Sequence, residues 1–283
     1  ERFLLDAGPD GYLWPIPLLT GKPAKPELFQ TSTTQIKLET DEFTVLNRYA
    51  SGQYVTHYTE ASHRKFIADK LQAGAISTEA RISTLNDMYM LARHGDESLT
   101  ESLDVVAKLG HEPRDSVWGI MSRAIAAAGQ LTEGDKTSED QIKQLKLLLA
   151  KDWHKKLGWD DKPSDDPNTK QLRHTIIAFM IGGEDPAAVQ QALTRYKKAK
   201  TLVDIDAELR GTILITAVRH GDKDEIDILL AAYQDSSPDL QQDITTALSA
   251  TKDPATANRI LTKALGPDGF VRSQDVMRWV ALF

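Results

Sequence analysis

The apolar positions of this chain change period near residue 58. Before that point they follow a period of two: Tyr12, Trp14, Ile16 and Leu18 alternate with Leu13, Pro15, Pro17 and Leu19. Prolines at two of these positions predict an edge strand, because proline cannot donate to a ladder. Glu1 to Asp6 also reads as a strand, and further short strands are predicted at Gln35 to Leu38, Phe43 to Asn47 and Gln53 to Tyr58, with Tyr49-Ala50-Ser51-Gly52 as the turn between the last two. Residues 1–58 are therefore predicted to form a small antiparallel β domain.

From Thr59 onward the spacing is that of amphipathic helices. Thr59 or Ser62 is placed to cap a helix carrying Phe66, Ile67 and Leu71, with Gly74 to end it, and Ser77 caps a second that carries Ile82, Leu85 and Tyr89. Leu99, Leu103 and Val106 line its partner, and Asp115 opens a helix with Trp118, Met121, Ile125 and Ala128 on one stripe. Ser138 and Gln141 form a capping-box pattern ahead of Ile142, Leu145, Leu149 and Trp153, whereas residues 158–170 have no apolar period and read as an exposed acidic connection. Ser237-Pro238 and Asp253-Pro254 read as caps followed by a proline in the first turn, and Ser273 as the cap of a last helix bearing Val276, Val280 and Phe283.

Two repetitions define how these helices connect. Arg93-His94-Gly95-Asp96 recurs as Arg219-His220-Gly221-Asp222, a basic last turn, a glycine stop and an aspartate cap for the next helix. Leu172, Arg173, Thr175, Ile176, Asp185, Leu193 and Tyr196 recur 37 residues later as Leu209, Arg210, Thr212, Ile213, Asp222, Leu230 and Tyr233. That interval fits one helical hairpin of an α-solenoid. The predicted fold is mainly α: a superhelix of hairpins of the HEAT or armadillo kind over residues 59–283, preceded by the β domain and truncated at Phe283, where apolar residues end without a cap.

Composition removes several function classes. The formal charge is −7, with 34 basic and 41 acidic residues, and the tightest basic cluster, Lys197, Lys198 and Lys200, reads as a solvated loop; nucleic acid is not the expected partner. The longest apolar run, Thr175 to Ile181, falls far short of the roughly 20 residues of a membrane span. With no cysteine there is no disulfide framework or thiolate site, which is compatible with a cytoplasmic location.

Chemistry is sparse. None of the seven histidines stands in a His-Glu-x-x-His pattern; His111-Glu112 comes nearest, but Pro113 and Asp115 follow. There is no glycine-rich phosphate loop and no nucleophile elbow, and the acidic pairs Asp160-Asp161, Asp165-Asp166 and Asp239-Asp243 read as solvated charge. No catalytic residue, metal ligand or cofactor site is expected in the chain itself.

The order of several motifs resembles the C-terminal half of M1-family zinc aminopeptidases. Glu1-Arg2-Phe3-Leu4 and Trp14-Pro15-Ile16-Pro17-Leu18 are similar to the start and a strand of that family's β-sandwich domain, and Asn47 with Gly52-Gln53-Tyr54-Val55-Thr56-His57-Tyr58 to its hairpin, with Val55 where the family carries an arginine. Arg81 to Asp87 with Leu91 to Asp96, Glu112 to Trp118, Leu157-Gly158-Trp159, Leu172-Arg173 and Val271 to Asp275 follow in the family's order. The resemblance implies a noncatalytic segment whose parent enzyme removes N-terminal residues from peptides with a zinc-bound water, a glutamate base and a tyrosine. All of these would sit in the parent's own N-terminal catalytic domain, the segment's expected partner. The helical part would cap the active-site chamber, limit peptide access and gate opening and closing, with Arg272, Arg173 and Arg210 as candidate contacts to a peptide carboxylate. An arginine repeated at equivalent hairpin positions more often ties adjacent helices together, so a structural tie is the favoured reading for Arg173 and Arg210. The competing reading is a stand-alone α-solenoid that binds a protein or peptide on its concave face.

Overall fold

The computed structural model describes residues 15–18, 27–31, 33–35, 44–47, 49–222, 224–267 and 269–283. It divides into two compact units, residues 1–175 and 176–283. The described residues are mainly helical, with one small sheet in which β1 (Ile16–Leu18) pairs antiparallel with β2 (Glu27–Phe29), Pro17 facing Leu28. The proline strand thus has no second neighbour among the described residues, in keeping with proline's missing donor. β2 was not anticipated. The predicted strands at the N-terminus and most of Gln35 to Leu38 lie outside the described residues.

Two other predicted strands do not form. Thr44 to Asn47 runs into a turn, and Gln53 to Tyr58 has no ladder partner among the described residues. The turn itself is present: buried Asn47, at φ +51°, donates from its amide to the Gly52 carbonyl and accepts from the Gly52 N–H, each at 2.9 Å. Backbone groups on either side of it bond to side chains rather than to each other. The Leu46 N–H donates to the Tyr58 hydroxyl at 2.9 Å, and the Thr56 N–H to Asp87 Oδ2 at 3.0 Å. The result is a strap laid over the first helices. Burial pushes the Tyr58 hydroxyl up to about 12 and the Asp87 carboxyl up to about 7, the latter despite the opposing effect of the Thr56 amide.

In the first unit α1 (Ala61–Gln72) starts at Glu60, without the side-chain cap expected from Thr59 or Ser62. α2 (Thr78–His94) is capped as expected by Ser77, whose hydroxyl accepts from Ala80 N–H, and ends at Gly95 in the left-handed conformation, φ +94°. α3 (Leu99–Val106) takes Ser98 as its cap rather than Asp96, which instead accepts from the His94 ring at 2.9 Å. α4 (Asp115–Leu131) buries the anticipated stripe of Trp118, Met121, Ile125 and Ala128, and its Trp118 indole donates to the Glu112 carbonyl. α5 (Lys136–Leu157) begins two residues before Ser138 because Asp135 caps it. α2 packs on α3 and α4, and α4 on α5.

The boundary between the units falls inside α6 (Pro167–Gly182), which starts at the proline rather than after Lys170. The Asp166 carboxylate accepts from Thr169 N–H at 2.7 Å and so closes the first turn. In the second unit α7 (Pro186–Lys198) and α10 (Pro238–Ser249) flank α8 (Ala207–His220), α9 (Glu225–Ala232) packs on both α8 and α10, and α11 (Pro254–Leu265) packs on α10. The second joint differs from the first. Gly221 is not left-handed, and a Cβ there would lie 2.4 Å from the Ala217 carbonyl oxygen, so close backbone approach explains this glycine. Asp224, not Asp222, precedes α9.

α12 (Val276–Leu282) follows a 3-10 turn at Ser273–Asp275, so Ser273 does not cap it. The turn sets its register so that Trp279 is fully buried while Val280 is 57% exposed, in place of the expected stripe through Val276 and Val280. Trp279 packs edge-on against Tyr233 and Phe270 and stacks on Phe283, a ring cluster that outweighs a valine stripe in buried area.

The Asp87 carboxyl is held above its ordinary value of 3.8, so its contribution to stability is fully present below about pH 4 and is lost as pH rises through about 7. The thermal midpoint of Asp87→Asn, which keeps an acceptor for Thr56, is expected to gain on the wild type as pH rises over that window. Equal pH slopes for the two proteins would refute the assignment.

Candidate functional site

Three helices place an arginine inside their apolar stripe. Ala80-Arg81 with Thr84-Leu85, Leu172-Arg173 with Ile176-Ile177, and Leu209-Arg210 with Ile213-Leu214 share one spacing, and all twelve residues are buried. A guanidinium on that face cannot shed its charge and must find carboxylates within the fold.

Arg173, with no exposed surface, donates from Nε to the Leu157 carbonyl, from Nη1 to Asp161 and from Nη2 to Asp165 at 2.5 Å. The acidic connection before α6 is therefore a counter-charge rather than solvated decoration. Arg210 donates from Nε to Asp243 and from Nη2 to Asp239, both at 2.7 Å, so the pair expected to be solvated on α10 holds α8. The repeat keeps the arginine but takes its partners from opposite directions along the chain. The Ser237 hydroxyl and Arg210 hold the Asp239 carboxyl down at about 2. Arg272 differs from both: its Nε and Nη2 lie 2.9 Å from Asp275 Oδ2, and its side chain is 58% exposed.

Arg81 was not singled out by its chemistry. Its Nη1 donates to the Ile76 carbonyl at 2.7 Å and its Nη2 to Glu112 Oε1 at 3.1 Å, while Nε lies 2.8 Å from Oε2. Glu112 in turn accepts from the Arg114 N–H, so this ion pair fixes the approach to α4. The shared spacing of the three arginines was the signal that would have found it.

Two clefts accompany these pairs. In the second unit a cleft of about 600 Å³ is lined by Arg195, Lys198 and Lys200 together with Ile205, Leu209 and Ile213. The carboxylates that also line it are engaged locally, Asp204 by Thr201 N–H at 2.8 Å and Asp206 by Glu208 N–H at 2.9 Å. In the first unit a cleft of about 1080 Å³ opens between β1, the strap and α2, with Asp87 among its lining groups.

Among the described residues no group of three or more histidine, aspartate or glutamate side chains is gathered to hold a metal, so these residues do not fit the zinc that the resemblance implies for the parent enzyme. No helix among them is long and apolar enough to cross a membrane.

Residues 43–283 match the ERAP1-like C-terminal domain. The chain belongs to that family. Aminopeptidase N of Lactobacillus helveticus is 24% identical to it over 288 residues, covering 99% of this chain and 34% of that protein. Aminopeptidase 2, mitochondrial, of Saccharomyces cerevisiae is 27% identical over 248 residues, 85% of this chain and 25% of that one. Human endoplasmic reticulum aminopeptidase 1 is 26% identical over 241 residues, again 25% of its length. The chain thus spans about a third or less of these curated relatives. The likeness to the C-terminal region of M1 aminopeptidases, read from short motifs in order, is borne out.

Replacing Arg173 by Met removes the cation that bridges Asp161 and Asp165 while keeping an apolar stem. It is expected to cost about 3 kcal/mol, the low end for breaking a buried pair because Asp161 remains partly solvated. Arg272→Ala is expected to change stability by less than about 0.5 kcal/mol. Denaturant unfolding measures both, and equal losses would contradict the distinction.

Proposed function

We propose that this chain is the noncatalytic C-terminal segment of an M1 zinc aminopeptidase, covering an active-site chamber whose chemistry resides in a separate catalytic domain. The observation that carries this reading is the family match over residues 43–283 in a sequence with no His-Glu-x-x-His motif. Zinc belongs to that catalytic domain, where it would supply an activated water; this chain contributes walls rather than reacting groups.

In this reading the β part up to residue 58 leads into a helical domain from residue 59, whose hairpins stack in succession as a superhelix. The packing of α2 on α3 and α4, and of α8 on α7, α9 and α10, supports such stacking. The partners are the parent's own catalytic domain and its peptide substrates, and the helical domain restricts peptide length and gates entry and release by moving against the catalytic part. Arg173 and Arg210 tie helices together, each with two carboxylates. Arg272, more than half exposed, is the proposed contact of the three to a peptide carboxylate, and its exposure supports that choice. A cytoplasmic location completes the reading, and the cysteine-free sequence is compatible with it.

The purified chain is expected to bind no stoichiometric zinc and to leave aminoacyl-arylamides intact. Joined to its catalytic domain, Arg272→Ala is expected to raise KM for peptides severalfold while leaving arylamide turnover unchanged. Metal analysis and paired kinetics decide both points; one tightly held zinc per isolated chain, or turnover surviving repurification, would overturn the proposal.

A further inference from the structure

Asp87, like Glu225, meets a neutral donor where the other buried acidic groups meet cations. Glu112 is matched by Arg81, the carboxylates around Arg173 and Arg210 by those guanidinia, and Glu225 accepts from the Tyr196 hydroxyl at 2.5 Å. Asp87 sits on the buried face of α2, 6% exposed, and accepts from the neutral Thr56 N–H. No lysine or arginine among the described residues forms an ion pair with it. Yet this carboxylate lines the cleft of about 1080 Å³, which has room for a side chain.

The groups around it complete a chemical description. Ser83 and Asn86 on the same helix line the cleft as neutral acceptors, and Pro17, Val55 and Leu91 supply apolar wall. The strap contributes His57, which lies 3.4 Å from Glu97 Oε1, together with Tyr54, and the Tyr58 hydroxyl interacts electrostatically with Asp87. The turn after α2 contributes His94, bonded to Asp96. Both imidazoles therefore already face carboxylates of their own. A buried carboxylate that no cation among the described residues matches, beside space and apolar wall, is the negative image of a cation on an alkyl stem.

We infer that this cleft binds the ammonium or guanidinium of a basic side chain, with Asp87 as its counter-ion and Ser83 and Asn86 as flanking acceptors. This site is independent of the peptide-carboxylate role given to Arg272. The perturbed carboxyl supports it: burial holds Asp87 near neutrality, and an entering cation favours its ionised form. Binding then releases a proton, and affinity rises as pH climbs through about 7.

Agmatine is the probe, titrated calorimetrically into the 283-residue chain at about pH 6 and about pH 8 at fixed ionic strength. The ionised fraction of a group with the Asp87 pKa changes about tenfold over that range, so Kd is expected to fall about tenfold, with butyrate giving no heat. Asp87→Asn is expected to abolish binding, and His57→Gln and His94→Gln to keep the tenfold dependence. In amide spectra of the wild type, agmatine is expected to shift the Thr56 resonance saturably, a readout that holds even where a variant misfolds. Absence of binding, equal affinity at both pH values, unchanged affinity in Asp87→Asn, or a saturable response that leaves Thr56 unmoved would each overturn the proposal.

Discussion

A guanidinium placed within an apolar helix stripe constrains everything packed against it. Arg81, Arg173 and Arg210 are buried together with the leucines and isoleucines of their helices, so each must draw a carboxylate from another segment into register. Apolar contacts between helices tolerate sliding and rotation, because many packings bury similar area. An Arg fork meeting carboxylate oxygens does not, since its donors are fixed in a plane. Glu112 before α4, the Asp161 and Asp165 loop before α6, and Asp239 with Asp243 on α10 are therefore the points at which neighbouring elements are fixed.

This explains which parts of the fold were legible in the sequence. The stripe through Trp118, Met121, Ile125 and Ala128 was, because a local period of 3.6 places all four on one face regardless of the rest of the chain. Ser77 and Asp253 were also legible as caps, each satisfying an N–H three residues away. The strap was not: its backbone partners are Tyr58 and Asp87, 12 and 31 residues distant, and a β-like composition cannot reveal that side chains replace the ladder. The last helix misled for a related reason, since a 3-10 turn and a ring cluster set its register, with Tyr233 far upstream in the chain.

The candidate site follows the same division. Arg173 and Arg210 were visible through their repeat, but only the fold shows that acidic residues which looked solvated are their counter-charges. Arg272 has a single carboxylate within its own turn and stays largely exposed, which separates a surface arginine from two helix ties of the same type.

The most direct test of this account is a double-mutant cycle on Arg210 and Asp243, read by denaturant unfolding. The account predicts a coupling of about 1 kcal/mol or more, with Arg210→Met partly relieved by Asp243→Asn, as expected when both residues share one buried ion pair. Strictly additive losses would show that the pair does not fix α8 against α10, and would contradict the claim that buried arginines set the packing.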